Sequence, residues 1–256
     1  MTTSLFLHST ATMPAMWSGV PDDVIGDTHK LAPTNLGYPP NPLLARGTPA
    51  SAHDDAAAIL AALPAGDVHI YAHSYGGTVA LTLIEALGPR LRSLFLFEPV
   101  LFGALLNDRS VDTGPEGLAE AEALRDARPW FLDDAHGGDE AWIELFIDYW
   151  NRPGTWQRMP PAQQAWTRQV AWKMYQEVKS VFTGMTRFDA FPLRVPTTLV
   201  TGERSPKAAQ AMVRGLAQVN PGVRVVTLEG AGHMAPLTHA AKVNALMQEH
   251  VQAMRS

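Results

Sequence analysis

The chain has 256 residues and not one cysteine. Disulfides and thiolate chemistry are therefore excluded, and the composition is compatible with a reducing cytoplasm. A basic excess is also missing: 20 Lys plus Arg stand against 25 Asp plus Glu, a formal net charge of −5. No nucleic-acid partner is expected, because such a partner calls for a basic face. No window approaches the roughly 18 uninterrupted apolar residues of a membrane span, so a soluble chain with no membrane partner is expected. The start, Met1-Thr2-Thr3-Ser4, lacks a basic segment followed by a long apolar stretch. The expectation is no signal peptide and a cytoplasmic location. No His, Asp and Glu cluster has ligand spacing, so neither a metal nor an organic cofactor is expected. Internal repeats and low-complexity tracts are absent as well. The length suits one large core, or a core with a small second unit, and leaves the oligomeric state open.

What the chain does have is an alternation of strand-like and helix-like runs. Ser4 to His8, His29 to Ala32, Val68 to Ala72, Leu91 to Phe97, Thr197 to Thr201 and Val223 to Leu228 read as strands. Helices are expected at about Ala50 to Leu63, Thr78 to Leu87, Lys207 to Val219 and His239 to Ala253. The fold class is thus α/β, with a mostly parallel sheet of about six strands and covering helices. Within this pattern Ala72-His73-Ser74-Tyr75-Gly76-Gly77 places a serine among small residues where a buried strand gives way to a helix. The chain must turn there within about two residues, which puts the Ser74 hydroxyl at a strained tip. Near the other end, Gly230-Ala231-Gly232-His233 follows a strand-like run and precedes the last helix. An imidazole on such a loop is what a serine needs, since the hydroxyl is a poor nucleophile until a base takes its proton.

With these two motifs the chain resembles the α/β-hydrolase superfamily, serine hydrolases with a helical cap in particular. Ala72 stands where the common G-x-S-x-G pattern has glycine, a difference of one methyl. The resemblance implies Ser74 as nucleophile and His233 as general base. Its usual acid position, in Gly202-Glu203-Arg204-Ser205, holds serine instead of aspartate. Some relatives carry the acid at the end of the strand after the elbow helix, and Glu98 ends such a strand here. Burying an unpaired charge is costly, so Glu98 reaches water, pairs with a cation or serves His233. Glu98 is taken as the acid, with Glu203 and a Ser-His dyad as alternatives. The family's oxyanion hole implies the backbone amides of Tyr75, after the nucleophile, and of Thr10, in His8-Ser9-Thr10 after the first core strand. That strand begins almost at the N-terminus, so the two antiparallel strands that open many relatives are not expected. Asn35 to Pro42 is a Pro-rich loop near the site in the family's layout.

Between about Gly103 and Thr186 no strand is evident, and six of the seven tryptophans lie there. This stretch resembles the family's helical cap. The implied layout is a hydrolase core of residues 1–102 and 186–256 with a cap at 103–185. Most of its aromatics should pack the unit together, while a few line an apolar cleft over the serine. His73, beside the serine, reads as a wall or packing residue. The implied activity is acyl-enzyme hydrolysis of a small, largely apolar ester or related carbonyl compound. C-C bond hydrolysis, lactone opening, acyl transfer and perhydrolysis use the same constellation. A ligand-sensing protein with slow or no turnover is the alternative from another class. Epoxide hydrolases and haloalkane dehalogenases of the fold use an aspartate nucleophile, which Ser74 is not.

Overall fold

The computed structural model describes residues 1–126 and 128–254. Position 127, inside the expected cap, and positions 255 and 256, at the end of the expected core, lie outside the described residues. The elements run β1 (Thr3–Leu7), α1 (Asp22–Ile25), β2 (His29–Leu31), α2 (Ala52–Ala62), β3 (Val68–His73), α3 (Tyr75–Leu87) and β4 (Leu91–Phe97). Five helices follow: α4 (Phe102–Asn107), α5 (Pro115–Asp126), α6 (Glu140–Trp150), α7 (Thr155–Arg158) and α8 (Pro161–Thr183). The chain then returns through β5 (Thr197–Gly202), α9 (Lys207–Val219), β6 (Arg224–Leu228), α10 (Ala235–Thr238) and α11 (Ala240–Ala253).

The six strands form one sheet in the order β2-β1-β3-β4-β5-β6, and every pair is parallel. A parallel sheet must be covered on both faces, and the alternation of side chains along each strand does this. Leu5, Leu7, Ile70, Ala72, Leu94, Leu96 and Leu199 face one apolar cluster that includes residues of α2, α3, α8 and α9. Phe6, Tyr71, Phe95, Phe97 and Val200 face the other, with Trp17, Val24 and Met247. Phe6, Tyr71 and Phe95 are neighbours in register across three strands. Phe6 and Tyr71 stack with centroids 4.7 Å apart.

The expected strands all form, with ends shifted by a residue. β3 runs on to His73 because that residue still pairs with Phe97 of β4. The larger difference is α3, which starts at Tyr75 and not at Thr78. Glycine is a poor helix former, so Gly76 and Gly77 do not favour a helical start by themselves. Packing overrides that preference. A Cβ on Gly76 would lie 2.5 Å from the Leu7 carbonyl oxygen, and one on Gly77 would lie 2.7 Å from Pro99 Cβ. Only glycine lets the helix begin this close to β1 and to the segment after β4. α2 starts at Ala52, behind Ser51, whose capping box with Asp54 sets the boundary. Among the described residues, no helix is long and apolar enough to cross a membrane.

Candidate active site

Three neighbouring strand ends and one loop build the site. Ser74 is the single residue between β3 and α3, with φ +55° and ψ −121°. L-residues rarely adopt such a conformation, and here both backbone groups hold it in place. Ser74 N–H donates to the Phe97 carbonyl at 3.0 Å, and the Ser74 carbonyl accepts from Gly77 N–H at 2.8 Å. Glu98, directly after β4, also has positive φ, +45°, and its N–H donates to the Val200 carbonyl at 2.9 Å. Strands β3, β4 and β5 therefore bring Ser74, Glu98 and Thr201 to one edge of the sheet. His233 reaches that edge from the loop after β6.

The structure brings Ser74, His233 and Glu98 together in a hydrogen-bonded line. His233 Nε2 lies 3.0 Å from Ser74 Oγ, and His233 Nδ1 lies 2.6 Å from Glu98 Oε2. All three residues are buried. Glu98 Oε1 accepts from Thr201 Oγ1 at 2.6 Å and from Gly202 N–H at 2.8 Å. A buried carboxylate with three donors has its desolvation offset, which answers what a charge is doing at the end of an apolar strand. Glu203 points elsewhere. It is exposed, and its Oε2 accepts from Gly230 N–H at 2.8 Å. That bond, with Arg204 N–H on the Ala231 carbonyl at 2.8 Å, braces the histidine loop. Ser205, where the usual acid would sit, is buried, and its hydroxyl has no hydrogen-bond partner among the described residues.

Thr10 and Tyr75 both line the space in front of Ser74. The glycine contact between Gly76 and the end of β1 is what sets α3 against the loop carrying Thr10. As the first residue of a helix, Tyr75 has a backbone N–H with no carbonyl one turn earlier to accept it. Its side chain turns away, with its hydroxyl donating to Asp55 Oδ2 at 2.7 Å. The loop after β1 is fixed by His8, whose Nε2 accepts Asn35 N–H at 3.0 Å while Nδ1 bonds the Ser9 carbonyl at 3.0 Å. Two spaces meet at Ser74. An inner cavity of about 20 Å³ is walled by Val100, Phe102, Phe131, Phe146, Val178 and Phe182 among others. An open groove of about 540 Å³ includes Ser74, His233, Trp150, Met159 and Trp166. Of the aromatics between 103 and 185, Trp142, Trp156 and Tyr175 are buried packing residues.

The alpha/beta hydrolase family model matches residues 5–246. The chain belongs to this family. Solved hydrolases share its fold at low sequence identity. A thermophilic esterase from Thermogutta terrifontis superposes with a TM-score of 0.67 at 16% identity, covering 100% of this chain and 91% of the esterase. An enol-lactonase from Burkholderia xenovorans gives 0.67 at 16% identity, over 98% of this chain and 91% of that one. An epoxide hydrolase from Bacillus megaterium gives 0.67 at 15%, over 98% and 94%. No curated protein matches the sequence significantly.

In this hydrolase His73 is a packing residue, as its place beside the serine suggests, but its tie to His233, the stacking of Trp150 and the cluster behind Thr10 were not legible in the sequence. His73 is fully buried, and its Nε2–H donates to the His233 carbonyl at 2.8 Å. Burial, with the charge of His233 adding to it, holds His73 well below the ordinary imidazole range. A neutral His73 adds no second positive charge beside an imidazolium. Trp150, from the end of α6, stacks on the His233 ring with centroids 3.9 Å apart. Behind Thr10 lies a buried ionic cluster: Lys173 Nζ is 2.5 Å from Asp55 Oδ2 and 3.5 Å from Glu177 Oε1. The signal for it was a lysine and a glutamate at i, i+4 on the face of α8 that also carries Val170, Met174, Val178 and Val181. Among the described residues, no group of three or more His, Asp and Glu is placed to hold a metal.

The buried histidines make stability pH-dependent. Burial pulls His8 down to about 4 and His250 down to about 4, from 6.5. Their depressed values mean that the unfolded chain binds protons the folded one refuses. The stability they contribute is whole above pH 6.5 and is lost as pH falls through 4, about 3 kcal/mol for each. Glu177 acts in the opposite direction: burial raises it from 4.5 to about 7, against the pull of Lys173. Its contribution is whole below pH 4.5 and is lost as pH rises through 7. With His73 added, the histidines outweigh it. The Tm in thermal melts is expected to drop steeply from about pH 6.5 to 4.5; a flat or rising Tm across that window would contradict the burial of these rings.

Proposed function

We propose that this hydrolase is a serine hydrolase that cleaves small, largely apolar esters through an acyl-enzyme. The observation that carries the reading is the hydrogen-bonded line from Ser74 Oγ through His233 to Glu98. Ser74 Oγ attacks the carbonyl carbon while its proton passes to His233 Nε2. The carbonyl electrons move onto oxygen, where the amides of Tyr75 and Thr10 receive the negative charge. Collapse of this intermediate expels the alcohol, which takes the proton from His233, and water then repeats the sequence to release the acid. Glu98 holds His233 in the tautomer with the proton on Nδ1 and stabilises the imidazolium. His73 and Trp150 fix the position of the imidazole. Helices α4 to α8 act as the cap: Phe131, Phe146, Trp150 and Phe182 close the inner cavity over Ser74 and exclude water from the developing charge.

Labelling with a fluorophosphonate tests the nucleophile directly. A single adduct on Ser74 is expected, followed in separate single-turnover runs by rapid acylation from p-nitrophenyl acetate. An unlabelled Ser74 in folded protein sinks the reading, and labelling without turnover favours the ligand-sensing alternative. The proposed steps use only side chains and backbone amides of the chain itself, with water as the second nucleophile. Treatment with EDTA is therefore expected to leave the rate unchanged, and a loss restored by zinc would overturn the mechanism.

A further inference from the structure

The inner cavity beside Ser74 is walled mainly by carbon, yet one of its residues is a glutamate. Glu177 is fully buried. Its Oε2 accepts the Tyr38 hydroxyl at 2.9 Å and the Thr10 hydroxyl also supports the carboxylate, while Oε1 has no well-formed hydrogen bond among the described residues and stands 3.5 Å from Lys173 Nζ. A buried acceptor left without a hydrogen bond costs about 1–3 kcal/mol, which an ion-pair contact at 3.5 Å offsets only in part. Packing alone would be served as well by a leucine, and the Lys173 charge is already met at 2.5 Å by Asp55. A buried acceptor with spare capacity, in an apolar cavity that also touches the nucleophile, is the arrangement of a site awaiting a donor from its ligand.

We propose that Glu177 determines substrate specificity: a short hydroxyacyl ester lies in the open groove at Ser74 with its carbonyl facing Ser74, and the inner cavity admits the hydroxyl of its acyl side, which pairs with Glu177 Oε1. The assignment deepens the serine-hydrolase reading and rests on it. A hydroxyl fits better than an ammonium for two reasons. A second cation would have to shed its hydration in an apolar cavity and sit close to Lys173, whereas a hydroxyl loses far less on burial. Burial also places Glu177 at about 7, so both of its forms are present near neutrality. A hydroxyl donates to the carboxylate and accepts from the carboxylic acid; an ammonium only donates. The free space of about 20 Å³ is close to the room one water needs, which suits a hydroxyl on a short chain and not a long acyl tail.

The test compares matched methyl esters: 3-hydroxybutyrate with butyrate, and lactate with propionate. Wild-type kcat/KM is expected to favour the hydroxylated member of at least one pair by about tenfold or more, chiefly through KM, the scale of one hydrogen bond to a charged group. In Glu177→Met that ratio should fall toward the intrinsic reactivity ratio of the two esters, and in Glu177→Gln, which keeps an acceptor, part of it should return. If Glu177 only braces Tyr38 and the loop after β1, Glu177→Met lowers both esters equally and leaves the ratio as it was, which overturns the proposal. So does a wild-type ratio no larger than that intrinsic one, a result that needs no variant to fold. Binding to the Ser74→Ala protein, followed by tryptophan fluorescence, separates this inference from the mechanism. The hydroxylated ester should bind about tenfold tighter even if neither ester is turned over. Equal binding ends the inference, and tighter binding of methyl 3-aminobutyrate than of the hydroxy ester replaces the hydroxyl by an ammonium.

Discussion

Ser74→Ala is expected to fold like the parent chain and to hydrolyse a short ester on the order of 10⁴-fold or more slowly. The Ser74 backbone is held by Phe97 and Gly77 through its own N–H and carbonyl, so replacing the hydroxyl leaves those ties intact. Its Oγ bonds His233 Nε2, and losing that one contact costs the fold little. The reaction loses far more, because among the described residues the hydroxyl hydrogen-bonded to the imidazole is that of Ser74. What survives should be the rate supported by binding and by the proposed oxyanion amides of Tyr75 and Thr10. A well-folded Ser74→Ala protein that keeps most of its activity would falsify Ser74 as the nucleophile.

Glu98→Gln is expected to lower kcat by roughly 10⁴-fold. The reason lies in which atoms already surround the carboxylate. Thr201 Oγ1 and Gly202 N–H both donate to Oε1, so the oxygen of a glutamine amide settles there and its NH₂ faces His233 Nδ1. That donor forces Nδ1 to accept, which moves the ring proton to Nε2. The nitrogen facing Ser74 is then unable to take a proton. Glu203→Gln should change kcat by less than about twofold, because its carboxylate is exposed and its tie to Gly230 N–H is met equally well by an amide oxygen. Steady-state kinetics on the two variants decides between them. A large loss in Glu203→Gln with little in Glu98→Gln would return the acid to the loop after β5. Slight effects in both would leave a Ser-His dyad.

The fold was legible because it rests on local pattern. Six short runs rich in β-branched and aromatic residues, separated by helical stretches, specify parallel strands whichever partner each finds. The serine at a strand-to-helix turn and the histidine between glycines were legible for the same reason: backbone geometry selects small residues at those points. Helix starts were less so. At Gly76 and Gly77 intrinsic preference and tertiary contact conflict, and contact with β1 and Pro99 wins.

The sequence by itself determined the class of fold, the identity of Ser74 and His233 as the pair to watch, and a short choice of acids. It favoured Glu98 as the acid but left Glu203 and a Ser-His dyad as alternatives, because local pattern does not say which carboxylate faces the imidazole. Only the tertiary structure chose the residue that faces His233. The strand order puts the end of β4 next to β3 and β5, which turns Glu98 inward onto three donors and leaves Glu203 outside. The partners Glu98 and His233 are 135 residues apart in the chain. The cluster of Asp55, Lys173, Glu177 and Tyr38 was hidden for the same reason. Its members come from α2, α8 and the loop before α2, and each alone reads as an ordinary polar residue. Their burial against one another exists only once α8 has crossed over the sheet, because hydrogen bonds and ion pairs are set by distance in space and not by spacing along the chain.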